Sequence, residues 1–97
     1  MSKYESILVV SVKAGEEAVN GVVTKFKDLI TANSVPESVT VDAWGNRRLA
    51  YPINKENEGH YVLYSFETED ADFTAELDRV YKITDGVLRS LIIKKED

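Results

Sequence analysis

The sequence predicts a single α+β domain in which two helices cover one face of a four-stranded antiparallel sheet. Three observations favour this fold class. Four segments are rich in β-branched and aliphatic residues, two segments carry apolar residues at helical spacing, and the six segments follow the order βαββαβ. A chain of 97 residues has room for one hydrophobic core, so residues 1–97 are expected to form one domain.

The first strand and the first helix differ in the period of their apolar residues. Ser6 to Val12 is a β-branched and aliphatic segment that ends at Lys13-Ala14-Gly15, which predicts a strand. From Glu16 to about Asn33 the apolar residues recur three and four positions apart, which predicts an amphipathic helix. Such a helix needs a sheet against which to bury its apolar side chains, which are Val19, Val22, Val23, Phe26, Leu29 and Ile30.

The middle of the chain predicts a β-hairpin. Asn33-Ser34-Val35-Pro36 ends the helix, and residues 39–66 form two extended segments joined by the polar residues 54–59. Gly45 is expected to produce a bulge or a bend in the first of these strands. Pro52 cannot donate a hydrogen bond to a neighbouring strand, and this strand is therefore expected at an edge of the sheet.

The last third of the chain predicts a helix followed by a strand. Thr68 to Asp72 supplies capping and first-turn acids, Thr84-Asp85-Gly86 ends the helix, and Val87 to Ile93 is strand-like. The apolar positions at helical spacing are Phe73, Leu77, Val80 and Tyr81. With right-handed crossovers, the order βαββαβ forms a ferredoxin-like sandwich whose central strands are the first and the third.

One face of this sheet is expected to carry no helix. The alternation of side chains along the first and last strands places Ile7, Val9, Leu91 and Ile93 on that face. An exposed apolar patch of this kind usually marks a binding surface. The alternative is that loops or the long hairpin fold over the patch.

Charge is distributed unevenly along this acidic chain, whose formal net charge is -5. Arg47 and Arg48 are adjacent, and no acid occurs between Ala43 and Asn54. Two interpretations of the arginine pair are open: charges on an edge strand that prevent aggregation, or guanidinium groups that bind phosphate and stack on bases. An acidic block interpreted as helix-start charges and a solvated face consists of Glu67, Glu69, Asp70, Asp72, Glu76 and Asp78.

The sequence lacks the residue sets that are typical of catalytic and metal sites. The absence of cysteine excludes disulfides, thiolate catalysis and cysteine-type zinc sites. His60 is the only histidine and is not part of a Ser/His/Asp set. An acylphosphatase-type enzyme would need an arginine after the first strand, where Lys13-Ala14-Gly15-Glu16 has none. We therefore expect no enzyme, no cofactor and no small-molecule substrate.

Targeting signals are also missing from the sequence. The amino-terminal residues do not resemble a signal peptide, and the apolar run from Ile7 to Val10 is too short for a membrane span. We expect a cytoplasmic protein that does not contact a membrane.

Five short motifs together resemble the bacterial small-subunit ribosomal protein S6 family. They occur in the family's order over essentially the whole chain, and the run from Arg47 to Ile53 is the most specific of them. The motifs are Lys3-Tyr4-Glu5, Trp44-Gly45, Arg47-Arg48-Leu49-Ala50-Tyr51-Pro52-Ile53, Gly59 with Tyr61, and Asp85-Gly86-Val87-Leu88-Arg89.

This resemblance implies a structural constituent of the cytoplasmic ribosome that supports assembly and translation. The implied partners are the central domain of small-subunit rRNA and ribosomal protein S18, which binds the RNA jointly with this protein. By motif position, the expected RNA contacts are Lys3, Arg47, Arg48, Lys55 and Arg89. The residues expected either in the core or at the protein partner are Leu49, Ala50, Tyr51 and Ile53.

Two alternatives share the same strand order. An RNA-recognition-motif domain stacks bases on aromatic residues of its central strands, but the segment from Glu58 to Tyr64 has poorly phased aromatic residues. A small ligand-binding or dimerisation module would use the apolar face equally well. The fold alone does not decide among these functions.

Overall fold

The computed structural model describes residues 2–95 and has the predicted α+β architecture. Its four strands form one antiparallel sheet in the order β2-β3-β1-β4. The first and third strands are central and β2 lies at an edge, as the strand order and Pro52 predicted. The elements are β1 (Ser2–Ser11), α1 (Glu16–Ala32), a single 3-10 turn (Pro36–Ser38), β2 (Thr40–Ile53), β3 (Glu56–Thr68), α2 (Ala71–Ile83) and β4 (Val87–Lys95).

Both helices pack on the same face of the sheet and enclose the hydrophobic core. Even-numbered residues of β1 and β3 point into this core, and the apolar side of each helix covers them. The ring centroids of Phe26 and Tyr81 are 4.4 Å apart, so aromatic packing joins α1 to α2. The buried core residues are Tyr4, Leu8, Val10, Val19, Phe26, Ile30, Val62, Tyr64, Phe66, Phe73, Leu77 and Tyr81.

Two tyrosine hydroxyls are buried inside this core, and each has a hydrogen-bond partner. Tyr64 Oη donates to the carbonyl oxygen of Val23 at 2.8 Å, and Tyr81 Oη lies 2.7 Å from Ser6 Oγ. Burial raises the pKa of both phenols. The fold therefore keeps both tyrosines neutral beyond the pH at which an exposed phenol loses its proton.

The start of α2 explains part of the acidic block. The side chain of Asp70 accepts a hydrogen bond from the backbone N–H of Asp72 at 3.0 Å, so Asp70 is the N-cap of the helix. Asp72 lies in the first turn, where a negative charge interacts favourably with the helix dipole. The predicted cap and first-turn acid are thus confirmed as Asp70 and Asp72.

The hairpin differs from its predicted form at the turn and at the start of β1. Only Asn54 and Lys55 form the turn, and both have positive φ angles of 50° and 66°. Residues 56–59 belong to β3, so the prediction of a six-residue turn was wrong. The first strand also begins at Ser2 instead of Ser6, because Lys3 pairs with both β3 and β4.

Two irregularities in β2 change the course of the hairpin. Ala43 pairs with Val62 and Gly45 with Tyr61, so one extra residue is accommodated at Gly45, where φ is +85°. This confirms the predicted bulge. Further along, Arg48 pairs with Glu58 and Ile53 with Glu56, so residues 49–52 face a single residue of β3. The longer β2 therefore arches out of the regular ladder.

Candidate nucleic-acid interface

The face of the sheet without helices, called here the open face, is only partly uncovered. Leu91 and Ile93 remain 49% and 44% exposed, and Ile7 is half-buried, as expected for an apolar patch. Val9 is only 3% exposed, so at this residue the alternative of a hairpin that folds over the patch is the correct one. The open face is thus covered near Val9 and uncovered along β4.

The cover over Val9 is the far part of the hairpin, residues 48–58, which we call the hairpin arm. The side chain of Leu49 is buried, and both Leu49 and Val9 lie over the α-carbon of Gly59. Ser11 Oγ donates a hydrogen bond to Glu56 Oε1 at 2.5 Å, which also ties the arm to β1. The arched residues of β2 therefore fold back on the open face instead of extending into solvent.

Gly59 allows this close packing, and we expect Gly59→Ala to destabilise the protein by about 1–3 kcal/mol. A Cβ atom at position 59 would lie 2.5 Å from Val9 Cγ1, and a β-branched side chain has little freedom to move away. Urea unfolding measures the loss. Gly21→Ala is the matched control, because a Cβ there meets nothing within 4 Å. In the interior of α1 it should stabilise the protein by roughly 0.5–1 kcal/mol. Equal effects of the two substitutions would contradict the packing described.

The adjacent arginines lie at the base of the hairpin arm and are solvent-exposed. Arg47 pairs with Gly59 and therefore shares the open face with Val9, whereas Arg48 points to the opposite side of the hairpin. Within residues 2–95, neither guanidinium group forms an ion pair. Both positive charges are therefore available to an anionic ligand.

Arg89 projects from the same face as Arg47 and makes a contact that the sequence did not reveal. Its Nη1 atom donates a hydrogen bond to the hydroxyl oxygen of Tyr51 at 3.0 Å, across 38 residues of sequence. The two residues belong to β4 and β2, the opposite edges of the sheet, which in a flat sheet are about 14 Å apart. The arch in β2 brings them together over the open face.

The two expected lysine contacts lie in different places. Lys55 occupies the exposed turn at the end of the hairpin arm. Lys3 lies six residues from Val9 along β1, a distance of about 20 Å, and its Nζ atom is 3.7 Å from Glu67 Oε1. The structure thus groups Arg47, Arg89 and Tyr51 on one side, and it does not bring Lys3 to them.

The residues expected at a protein partner or in the core divide between these two environments. Leu49 is buried within the chain, and Ile53 is half-buried. Ala50 is exposed, and Tyr51 is 54% exposed. Of these four residues, Ala50 and Tyr51 are therefore the ones exposed to a partner, and the same strand also exposes Trp44, at 40%.

Much of the acidic block lies on α2, on the other side of the sheet from the open face. Ion pairs join Glu76 to Arg79 and Asp78 to Lys82 along the surface of this helix. The hydrogen bonds from Arg79 lower the pKa of Glu76. These acids therefore lie on the helix side of the sheet, whereas Arg47 and Arg89 project from the open face.

The other candidate functions would depend on His60, on a cluster of metal-binding side chains or on aromatic residues of the central strands. His60 forms a hydrogen bond of 2.9 Å with Asn46 across the hairpin, and residues 2–95 contain no cluster of metal-binding side chains. Among residues 2–95, the open face of the central strands holds the aliphatic residues Ile7, Val9 and Leu63 and one aromatic residue, the half-buried Tyr61, whereas an RNA-recognition motif stacks two or three bases on its aromatic residues. Within the same residues, neither helix is long and apolar enough to cross a membrane.

Comparison with known sequences places these features in a family. The family model described as "Ribosomal protein S6" matches residues 3–94. A small ribosomal subunit protein bS6 from Caldanaerobacter subterraneus subsp. tengcongensis is 47% identical over 97 residues, which are 100% of both chains. The protein of the same name from Clostridium acetobutylicum is 48% identical over 96 residues, or 99% of each chain.

Comparison with solved structures supports the fold independently. The crystal structure of 30S ribosomal protein S6 from Thermotoga maritima aligns with a TM-score of 0.84 at 26% sequence identity. The alignment covers 97% of this chain and 87% of that one. The sheet order and the position of both helices are therefore features that this chain has in common with a solved relative.

Proposed function

This chain belongs to the ribosomal protein S6 family, and from that premise we propose that it binds the central domain of small-subunit rRNA jointly with ribosomal protein S18. Its relatives are structural proteins of the small ribosomal subunit, so the chain is a ribosomal protein of the bacterial cytoplasm and not an enzyme. The proposal concerns the RNA, the protein partner and the residues that contact them.

The observation that carries the proposal is the exposed arginine pair without ion-pair partners at the base of the hairpin arm. Arginine presents a planar fork of donors that matches a phosphate group. No acid among residues 2–95 forms an ion pair with Arg47 or Arg48, although Glu58 lies opposite Arg48 on β3. Two unneutralised guanidinium groups therefore favour an external anion as their partner.

Joint binding explains how an acidic protein can bind a polyanion. The net charge of -5 opposes long-range attraction to RNA, and only the local cations of the hairpin favour it. A basic partner protein would supply the missing attraction. Leu91 and Ile93, together with exposed Tyr51, give this chain apolar surface on which a protein partner can be seated.

Charge reversal of the arginine pair tests the RNA contact. We expect Arg47→Glu with Arg48→Glu to weaken binding to a central-domain rRNA fragment in the presence of S18 by on the order of a hundredfold at moderate salt, because cationic contacts are replaced by repulsion. Filter binding measures the affinity, with and without S18. The protein alone should bind weakly, and the two proteins together should bind strongly and with marked salt dependence.

Lys25→Glu with Lys27→Glu is the matched control for this experiment. It changes the net charge by the same amount, but both lysines lie on the exposed surface of α1. If both double variants lose the same affinity, the effect is one of total charge and the hairpin is not the RNA contact. Unchanged joint affinity of the arginine variant would also refute the proposal.

A further inference from the structure

The contact between Tyr51 and Arg89 links residues with different expected roles. By resemblance, Arg89 was expected to contact RNA and Tyr51 to lie in the core or at the protein partner. In the structure, the hydroxyl of Tyr51 accepts a hydrogen bond from Arg89 Nη1 at 3.0 Å. The tyrosine therefore affects the position of a group that belongs to the RNA surface.

The two side chains are held where they meet by other parts of the fold. Arg89 pairs with Val9 on β1, so its side chain rises from the open face directly beside the region that the hairpin arm covers. Leu49 is buried over Val9 and Gly59, two residues before Tyr51. Packing thus anchors the chain two residues before Tyr51 and holds this part of the arch over the open face, within reach of Arg89.

A single hydrogen bond of this kind leaves most of the guanidinium group available. Arginine has five N–H donors, and the bond to Tyr51 uses one of them. No acid among residues 2–95 forms an ion pair with Arg89, and the side chain is exposed. A neutral acceptor thus restrains the group without cancelling its charge and leaves N–H donors for bidentate binding of a phosphate.

We propose that Tyr51 is a positioning residue whose hydroxyl orients the guanidinium group of Arg89 toward a backbone phosphate of the bound RNA. This inference rests on the proposed function. It adds to that function a backbone phosphate as the group that Arg89 binds, and a role for the uncharged residue Tyr51. An exposed arginine normally loses rotamer freedom when it binds. The hydrogen bond reduces that loss because the side chain is already restricted in the free protein.

The test is a double-mutant cycle in the joint binding of S18 and the central-domain rRNA fragment. Tyr51→Phe keeps the ring and removes the hydroxyl, and it should weaken binding about three- to tenfold, the size expected for the net contribution of one exposed hydrogen bond. Arg89→Gln should weaken binding and reduce the salt dependence by about one phosphate contact. In the Arg89→Gln background, Tyr51→Phe should cause no further loss.

Tyr61→Phe is the matched control, because Tyr61 is a half-buried tyrosine on the same face whose hydroxyl forms no hydrogen bond within residues 2–95. It should bind as the wild type does, and the urea midpoint of each variant shows that it is folded. Tyr51→Phe binding equal to wild type would overturn the inference. An equal loss in both arginine backgrounds would also overturn it, since Tyr51 would then act separately, as in a contact with S18. Wild-type protein that fails to bind the RNA with S18 would refute the proposed function itself.

Discussion

Above about pH 10 the free energy of unfolding is expected to fall steeply as the pH rises, because the fold buries two phenol groups. Burial raises the pKa of Tyr64 and of Tyr81, and a negative charge on Tyr81 would raise the pKa of Tyr64 further. The hydrogen bond with Ser6 acts in the opposite direction on the pKa of Tyr81 but does not outweigh burial. In the unfolded chain both phenols lose their protons near the usual value of 10.0.

The direction of the effect follows from the protons bound in each state. Between the unfolded pKa and the raised folded pKa, the folded protein keeps the two protons and unfolding releases them. The contribution of these groups to stability is therefore complete below about pH 10 and declines as the pH rises, with a slope of about 1.4 kcal/mol per pH unit for each phenol. Urea unfolding at a series of pH values, followed by circular dichroism, measures this slope.

Phenylalanine variants show whether the two buried tyrosines cause the fall of the free energy of unfolding with pH. Tyr64→Phe and Tyr81→Phe should each remove about one proton from the alkaline linkage, although each also loses a buried hydrogen bond and so starts from a lower stability. Val62→Ala is the control, because it weakens the same core and removes no titrating group. A slope that is identical in all three variants and the wild type would show that these tyrosines are not the buried phenols responsible.

Removal of the Phe26 ring is the substitution with the largest expected cost in the core. Phe26→Ala should lower the free energy of unfolding by about 3–5 kcal/mol, through lost burial and the cavity that remains. The ring is fully buried and packs against Tyr81, so its loss weakens the contact between α1 and α2. Domains of this size have a stability of only about 5–15 kcal/mol, and the variant should be close to unfolding at ordinary temperature.

Urea denaturation distinguishes the loss of core packing at Phe26 from a loss of stability that any substitution in α1 would cause. The midpoint in urea should shift while the dependence on urea concentration stays the same. Lys27→Ala on the exposed side of the helix should change stability by no more than about 0.5 kcal/mol. A cost below about 1.5 kcal/mol for Phe26→Ala would mean that α1 is not packed as described.

Much of this fold was predictable because its determinants are local. The spacing of Val19, Phe26 and Ile30 placed one side of α1 in the core, and these three residues are buried in the structure. Pro52 predicted an edge strand and Gly45 a bulge, since each reflects a backbone property of a single residue. The positions of the exposed arginines on the hairpin followed from the same reasoning.

The prediction of the hairpin turn was wrong at two places. Gly59 suggested a turn, but it lies inside β3, where the absence of a side chain makes room for Val9. Asn54 and Lys55 form the turn with positive φ, a conformation for which Lys55 is a weak sequence signal. At Gly59, packing against a residue 50 positions away replaced the local preference for a turn, whereas the two-residue turn lacks the glycine that usually marks it.

Periodicity and turn chemistry in the sequence alone determined the element order, the fold class, the faces of the helices and the presence of cations on the hairpin, because each depends on neighbouring residues. Only the tertiary structure decided that four residues of β2 arch over the open face, bury Val9 and bring Tyr51 within hydrogen-bonding distance of Arg89. These outcomes depend on the register of strands and on packing between residues about 40 positions apart, for which a linear pattern carries no signal.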